Sequence, residues 1–140
     1  MPLPLPASST LDEAAASLSV MRRRVILESP FAPANGRTIE VHVTYAYAAM
    51  GDALRRGESP LAFHLLLTQV LDDTDPRQRS LGIEAAQLWY RSAQAVVMYM
   101  DFGESRGMAK GRELAERFGV PVERRLMGDD WAKNLRPVTS

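Results

Sequence analysis

The chain reads as an α/β domain, a Rossmann-like (flavodoxin-like) three-layer fold with a short, mainly parallel sheet. Two observations carry that prediction. From Arg24 to Arg124, apolar runs of strand length alternate with helical segments in the order strand, helix, strand, helix, strand, helix, strand. This is the pattern of right-handed crossovers between parallel strands. The helical segments also carry their own start and stop residues, among them Gly57, Asp75-Pro76 and Gly119, which separate them from the strands. A length of 140 residues suits one domain able to bury a core of its own.

Residues 1–20 join a proline-alternating segment to small residues with little to bury, and are expected to form a mobile Pro/Ala-rich arm before a domain at 21–127. Arg24 to Glu28 is an apolar, β-branched run closed by Ser29-Pro30, as a buried first strand would be. Ile39 to Arg56 fits both a strand's alternation, through Val41, Val43 and Tyr45, and a helical stripe of Ile39, Val43, Ala46, Tyr47, Met50 and Leu54. Its length, its helix-forming residues and the following Gly57 decide for helix.

Pro60 to Thr68 contains Leu-Ala-Phe-His-Leu-Leu-Leu and has the length of a second strand. Asp75, Pro76 and Gln78 have the spacing of an N-cap, a first helical residue and a capping-box partner. The helix they start reaches about Ser92, with Leu81, Ala85, Leu88 and Trp89 as its expected buried stripe. Ala93 to Met100 is the strongest strand signal. A third helix runs from about Arg106 to Phe118, Val120 to Arg124 forms the last strand, and 128–140 is a polar tail apart from Trp131 and Leu135.

Lysine plus arginine (17) equal aspartate plus glutamate (17), so no net field draws the chain to polymeric nucleic acid or an anionic membrane. The absence of cysteine excludes disulfides, thiolate nucleophiles and Cys-ligated zinc. The only histidines, His42 and His64, do not form a ligand-spaced pair, and no metal or cofactor is expected. The first 20 residues lack a basic start followed by an apolar core, and no apolar run has the length of a membrane span. A cytoplasmic location is the expectation.

Open parallel sheets bind ligands beyond the carboxyl ends of their strands. This rule gathers three loops: Glu28 to Arg37, His64 to Asp75, and Asp101 to Gly107. Asp101-Phe-Gly-Glu-Ser-Arg-Gly-Met108 leaves the strongest strand and opens a helix. Ser105 can cap that helix, Gly107 lets a ligand approach the backbone, and free N–H groups with Arg106 suit a phosphate. The same residues also suit an ordinary capped turn. His64 can serve as a general acid or as a hydrogen-bonded core residue. Asp72 and Asp73 can act on a ligand or simply form a turn. Arg79 is better placed toward the site than Arg77, and Tyr45 and Tyr47 suit either base stacking or the core.

Ile26-Leu-Glu-Ser-Pro-Phe31, Arg56-Gly-Glu-Ser-Pro-Leu-Ala-Phe-His-Leu65, Leu71-Asp-Asp-Thr-Asp-Pro-Arg-Gln-Arg-Ser-Leu-Gly-Ile83 and Tyr99-Met-Asp-Phe-Gly-Glu-Ser-Arg-Gly-Met108 together resemble the nucleoside 2-deoxyribosyltransferase-like superfamily. The likeness spans Arg24 to Arg125 and is closest to a small, uncharacterised, often phage-encoded branch. It implies a nucleotide-processing protein that hydrolyses or transfers at the N-glycosidic bond of a (deoxy)nucleoside 5′-monophosphate, assembled as a homodimer or larger homo-oligomer. It further implies ligand contacts at Glu28, Ser29, Pro30, Phe31, Arg79, Gly103, Ser105, Arg106, Gly107 and Met108.

In such enzymes a glutamate six residues after the serine meets the sugar; here that position is Gly111. A replacement carboxylate is expected from another loop, with Asp101 first, then Glu104, Glu28, Asp72 or Asp73, and His64 as an accompanying acid. The other reading is a module that binds or senses a nucleotide without cleaving it.

Overall fold

The computed structural model describes residues 22–135; the expected arm at 1–20 and the end of the tail lie outside the described residues. Strands β1 (Arg23–Glu28), β2 (Glu58–Leu61), β3 (Ala95–Tyr99) and β4 (Val122–Arg125) form one all-parallel sheet in the order β2-β1-β3-β4. They are connected through α1 (Ile39–Arg55), a single-turn α2 (Phe63–Leu66) that runs into a 3-10 turn (Leu67–Gln69), α3 (Pro76–Ser92) and α4 (Arg106–Phe118).

Alternation along the strands sends side chains to two cores. Val25, Leu27, Ala95, Val97 and Tyr99 pack with Tyr45, Ala49 and Ala53 of α1. Ile26, Val96 and Met98 pack on the opposite face with Ala86 and Tyr90 of α3 and Met108 and Ala115 of α4. Helices therefore cover both faces of a sheet whose central strands carry the apolar runs Val25–Leu27 and Ala95–Tyr99, the three-layer arrangement that a parallel sheet requires.

The helix boundaries follow the local chemistry. Thr38 Oγ1 accepts from Val41 N, Asp75 Oδ1 from Arg77 N and Ser105 Oγ from Met108 N, each satisfying an otherwise unpaired first-turn donor. Gly119 stops α4 at φ 68°, a left-handed conformation that glycine adopts without a Cβ clash. Gln78 differs from a simple capping box: its amide nitrogen donates to the Asp75 carboxylate and its oxygen accepts from Asp72 N.

The structure corrects three expectations. The Pro60 to Thr68 run is not one strand: β2 ends at Leu61, and Phe63 to Gln69 turns helically. β2 is an edge strand paired only with β1, where Pro60 is tolerated, and an apolar run of this length suits either conformation. The buried face of α3 is Ala86 and Tyr90, whereas Leu81, Leu88 and Trp89 are exposed. Likewise α1 buries His42, Tyr45, Ala46, Ala49 and Ala53, with Ile39 and Tyr47 outside. Finally, the start of the tail joins the core: Trp131, in a 3-10 turn (Trp131–Leu135), sets its ring 5.2 Å from that of Tyr45 and 6.0 Å from that of Phe102. Among the described residues no helix is long and apolar enough to cross a membrane.

Candidate functional site

A cavity of about 540 Å³ opens where the end of β1 meets α2, α3 and α4. All three loops gathered from the sequence contribute to it, among others through Glu28 and Phe31, His64 and Asp73, and Glu104 and Gly107. Its volume is in the range of small-molecule sites.

One end is cationic. Ser105 caps α4, and Arg106, Gly107 and Lys110 from its first turns line the cavity together with Arg79 from α3. Arg79, Arg106 and Lys110 form no side-chain ion pair or hydrogen bond with the described residues, so their charge is available to a ligand. A Cβ placed on Gly107 would meet nothing nearer than the Arg79 guanidinium at 3.9 Å. Free helical N–H groups, three cations and open space converge here, which is a setting for an anion. Glu104 also lines the wall, but Arg112 binds its carboxylate at 2.7 Å and holds it below the usual carboxylate range.

The opposite end is buried and lacks a cation partner. Glu28, 7 % exposed at the end of β1, accepts a hydrogen bond from the Tyr90 hydroxyl through Oε1. Desolvation pushes its carboxyl up to about 8, against the lowering effect of the Tyr90 bond. Among the described residues Oε2 has no hydrogen-bond partner, and Glu28 lines the cavity. Gly111 makes this arrangement possible. A Cβ there would lie 2.6 Å from the Glu28 carboxyl carbon and 2.9 Å from the Tyr90 hydroxyl. The carboxyl of β1 thus fills the space that a side chain on α4 would need.

Beside it, Ser29 Oγ and His64 Nε2 are 2.8 Å apart. His64 keeps some surface toward the cavity but is hemmed in by protein, and desolvation lowers it to about 4, leaving the ring neutral near pH 7. His42 has a different task. Its Nδ1–H donates to Phe31 O at 3.2 Å, and Nε2 accepts from Arg37 Nε at 3.0 Å. The ring is buried and ties down the loop after β1, which supplies Phe31, Ala32, Pro33 and Ala34 to the cavity wall.

Of the residues singled out from sequence, the cavity brings together Glu28, Ser29, Phe31, His64, Asp73, Arg79, Glu104, Ser105, Arg106 and Gly107. Asp101 is not among them. Its carboxylate accepts from the Tyr45 hydroxyl at 2.5 Å and from the backbone N–H groups of Met127 and Gly128 at 3.0 and 2.8 Å. These bonds hold the chain after β4 against α1, so the structure does not bring Asp101 to the cavity wall where it was expected. Asp72 likewise binds Thr74 through backbone and hydroxyl. Met108 is core at 1 % exposure, and Pro30 and Gly103 lie off the cavity wall, Gly103 serving the turn at φ 81°.

Sequence reasoning missed Tyr90, Lys110 and the steric meaning of Gly111. Lys110 lies one turn after Arg106, and that helical spacing could have found it. Tyr90 follows Ala86 by four residues, but only the choice of α3's buried face brings it to Glu28.

Residues 23–125 match the family model of a domain of unknown function (DUF7768). Comparison with curated proteins gave no match. The matched span begins at the first residue of β1 and ends at the last residue of β4, taking in the whole sheet and every wall of the cavity, so the chain belongs to the DUF7768 family.

Proposed function

We propose that this domain binds a nucleoside 5′-monophosphate or related nucleotide in the cavity and hydrolyses or transfers at its N-glycosidic bond. The observation that carries the reading is the polarity of one cavity: three unpaired cations at a capped helix start at one end, and a buried carboxyl with a Ser29–His64 pair at the other. Phosphate suits the first end. The second offers fixed groups to a sugar and its glycosidic bond. Resemblance to the nucleoside 2-deoxyribosyltransferase-like superfamily supports the same substrate class.

The second reading, a nucleotide-binding or sensing module without catalysis, draws on Gly111 and on the structural engagement of Asp101. One experiment separates them. The protein is incubated with a panel of ribo- and deoxyribonucleoside 5′-monophosphates, followed by thermal shift and by chromatography for free base. Stabilisation with base release supports the enzyme, stabilisation without release supports the module, and neither effect refutes both.

We further propose that the protein acts as a homodimer through the exposed face of α3. On that face Trp89 lies outside with Leu81 and Leu88, whereas Tyr90 is buried and Trp131 packs on Tyr45. Sedimentation at micromolar concentration showing only a 15.5 kDa species would refute it.

A further inference from the structure

We propose that Glu28 is the general acid that protonates the departing base, an inference that rests on reading the cavity as a nucleotide site. Its geometry comes from α4. Gly107, at the cationic end, and Gly111, whose missing side chain leaves room for Glu28, are four residues apart. They lie on one helix face, separated by about 6 Å of helical rise. This is the scale of a single pentose between its 5′-phosphate and its glycosidic bond. A phosphate held at Arg106, Gly107 and Arg79 therefore brings the glycosidic bond to the Glu28 carboxyl.

The hydrogen bonding of that carboxyl then assigns the proton. Oε1 receives the Tyr90 hydroxyl, and Oε2 has no hydrogen-bond partner among the described residues on a side chain that lines the cavity. A neutral carboxyl in this setting carries its proton on Oε2, directed at the ligand. The burial that favours the neutral form supplies a proton donor near pH 7.

In the step itself the C1′–N bond breaks and its electron pair passes to the base nitrogen system, which takes the proton from Glu28 Oε2. Water adds through oxygen to C1′ and releases a proton, which returns Glu28 to its neutral form. The products are free base and the sugar 5-phosphate.

Glu28→Gln tests the proposal, because the amide oxygen can still accept from Tyr90 while the side chain can no longer supply an acid proton. Two substrates are compared: a nucleoside 5′-monophosphate that wild type cleaves, and a 4-nitrophenyl 2-deoxyriboside 5-phosphate, whose leaving group departs without protonation. The expected result is about a 10²- to 10⁴-fold loss of base release, with nitrophenolate release and nucleotide-induced thermal shift retained. Glu28→Ala reads out in the same way should the glutamine variant fail to fold by circular dichroism. Equal losses on both substrates, or no loss on either, overturn the acid role while leaving the nucleotide reading in place. Absence of base release from wild type with every nucleotide overturns the cleavage reading and the acid role with it.

Discussion

Glu28 and Glu58 are buried glutamates on neighbouring strands, at 7 % and 5 % exposure, yet their surroundings are opposite. Glu58 opens β2 and receives two arginines: both terminal nitrogens of Arg125 donate to it at 2.7 Å, and Arg23 adds a third bond at 2.7 Å. Burial works against its charge, but the Arg125 and Arg23 hydrogen bonds hold the carboxyl below the usual range. Glu28 closes β1 and has one neutral donor, Tyr90. The first carboxylate is neutralised within a network that also includes Glu123, Tyr99 and Asp52. The second stands at a cavity wall with one oxygen unclaimed by protein. A buried charge met by fixed countercharges serves the fold, whereas a buried carboxyl without them costs stability and signals chemistry.

Breaking the satisfied cluster should be the most destabilising change. Glu58→Gln leaves the buried Arg125 guanidinium without its main counterion, and chemical denaturation should show a loss of about 3 kcal/mol. Nucleotide-induced thermal shift should persist, since Glu58 is not part of the cavity wall.

Glu28→Gln should move stability the other way. In wild type the unfolded carboxyl ionises near 4.5 while the folded one stays neutral up to about 8, so rising pH favours unfolding through that window. The variant escapes this penalty. Its advantage should be negligible below pH 4.5, grow by up to about 1.4 kcal/mol per pH unit, and level off above pH 8. His64 acts in both proteins and cancels from their difference. On its own, its depressed folded value makes stability fall as pH drops from 6.5 toward 4. Denaturation of both proteins from pH 4 to 9 checks the sign, and a pH-independent difference would refute the assignment.

Asp101→Asn sharpens the contrast between a structural and a functional carboxyl at the ends of adjacent strands. Loss of an acceptor for the Met127 and Gly128 N–H groups should cost about 1–3 kcal/mol. Base release and nucleotide-induced stabilisation should remain at wild-type levels; loss of either in the folded variant would return Asp101 to the site. The smallest stability change is expected for Gly107→Val, because an added Cβ has no neighbour closer than 3.9 Å. Stability should stay within about 0.5 kcal/mol of wild type, while the thermal shift with nucleotide disappears because the side chain projects into the proposed phosphate position. A retained shift would place the phosphate elsewhere.

Local chemistry made much of this molecule legible before any coordinates. The β-branched runs of β1 and β3, the caps at Asp75 and Ser105, and the glycine stop at 119 depend on neighbours in sequence, and all lie where they were expected. Strand order and the crossover pattern then gathered the three loops at one cavity. The faces of α1 and α3 were not legible from apolar periodicity. In α1 several alanines, and in α3 the single Ala86, pack on the sheet with one tyrosine at each core, while larger apolar residues such as Ile39, Tyr47, Leu81 and Leu88 face outward. Close approach of a helix to a sheet of Val, Ile and Leu selects small side chains, which an apolar count does not distinguish.

The sequence by itself determined the three-layer class, the helix ends and most residues of the cationic wall, because caps, breakers and strand-ending turns act over a few residues. Tertiary structure decided which carboxyl is free. Glu28 ends β1 and Asp101 follows β3 by two residues, but Asp101 meets Tyr45 and two backbone donors, whereas Glu28 enters the space left by Gly111 against Tyr90, 62 residues away along the chain. The availability of a side chain depends on every donor that folding brings within reach, and those donors come from distant parts of the chain.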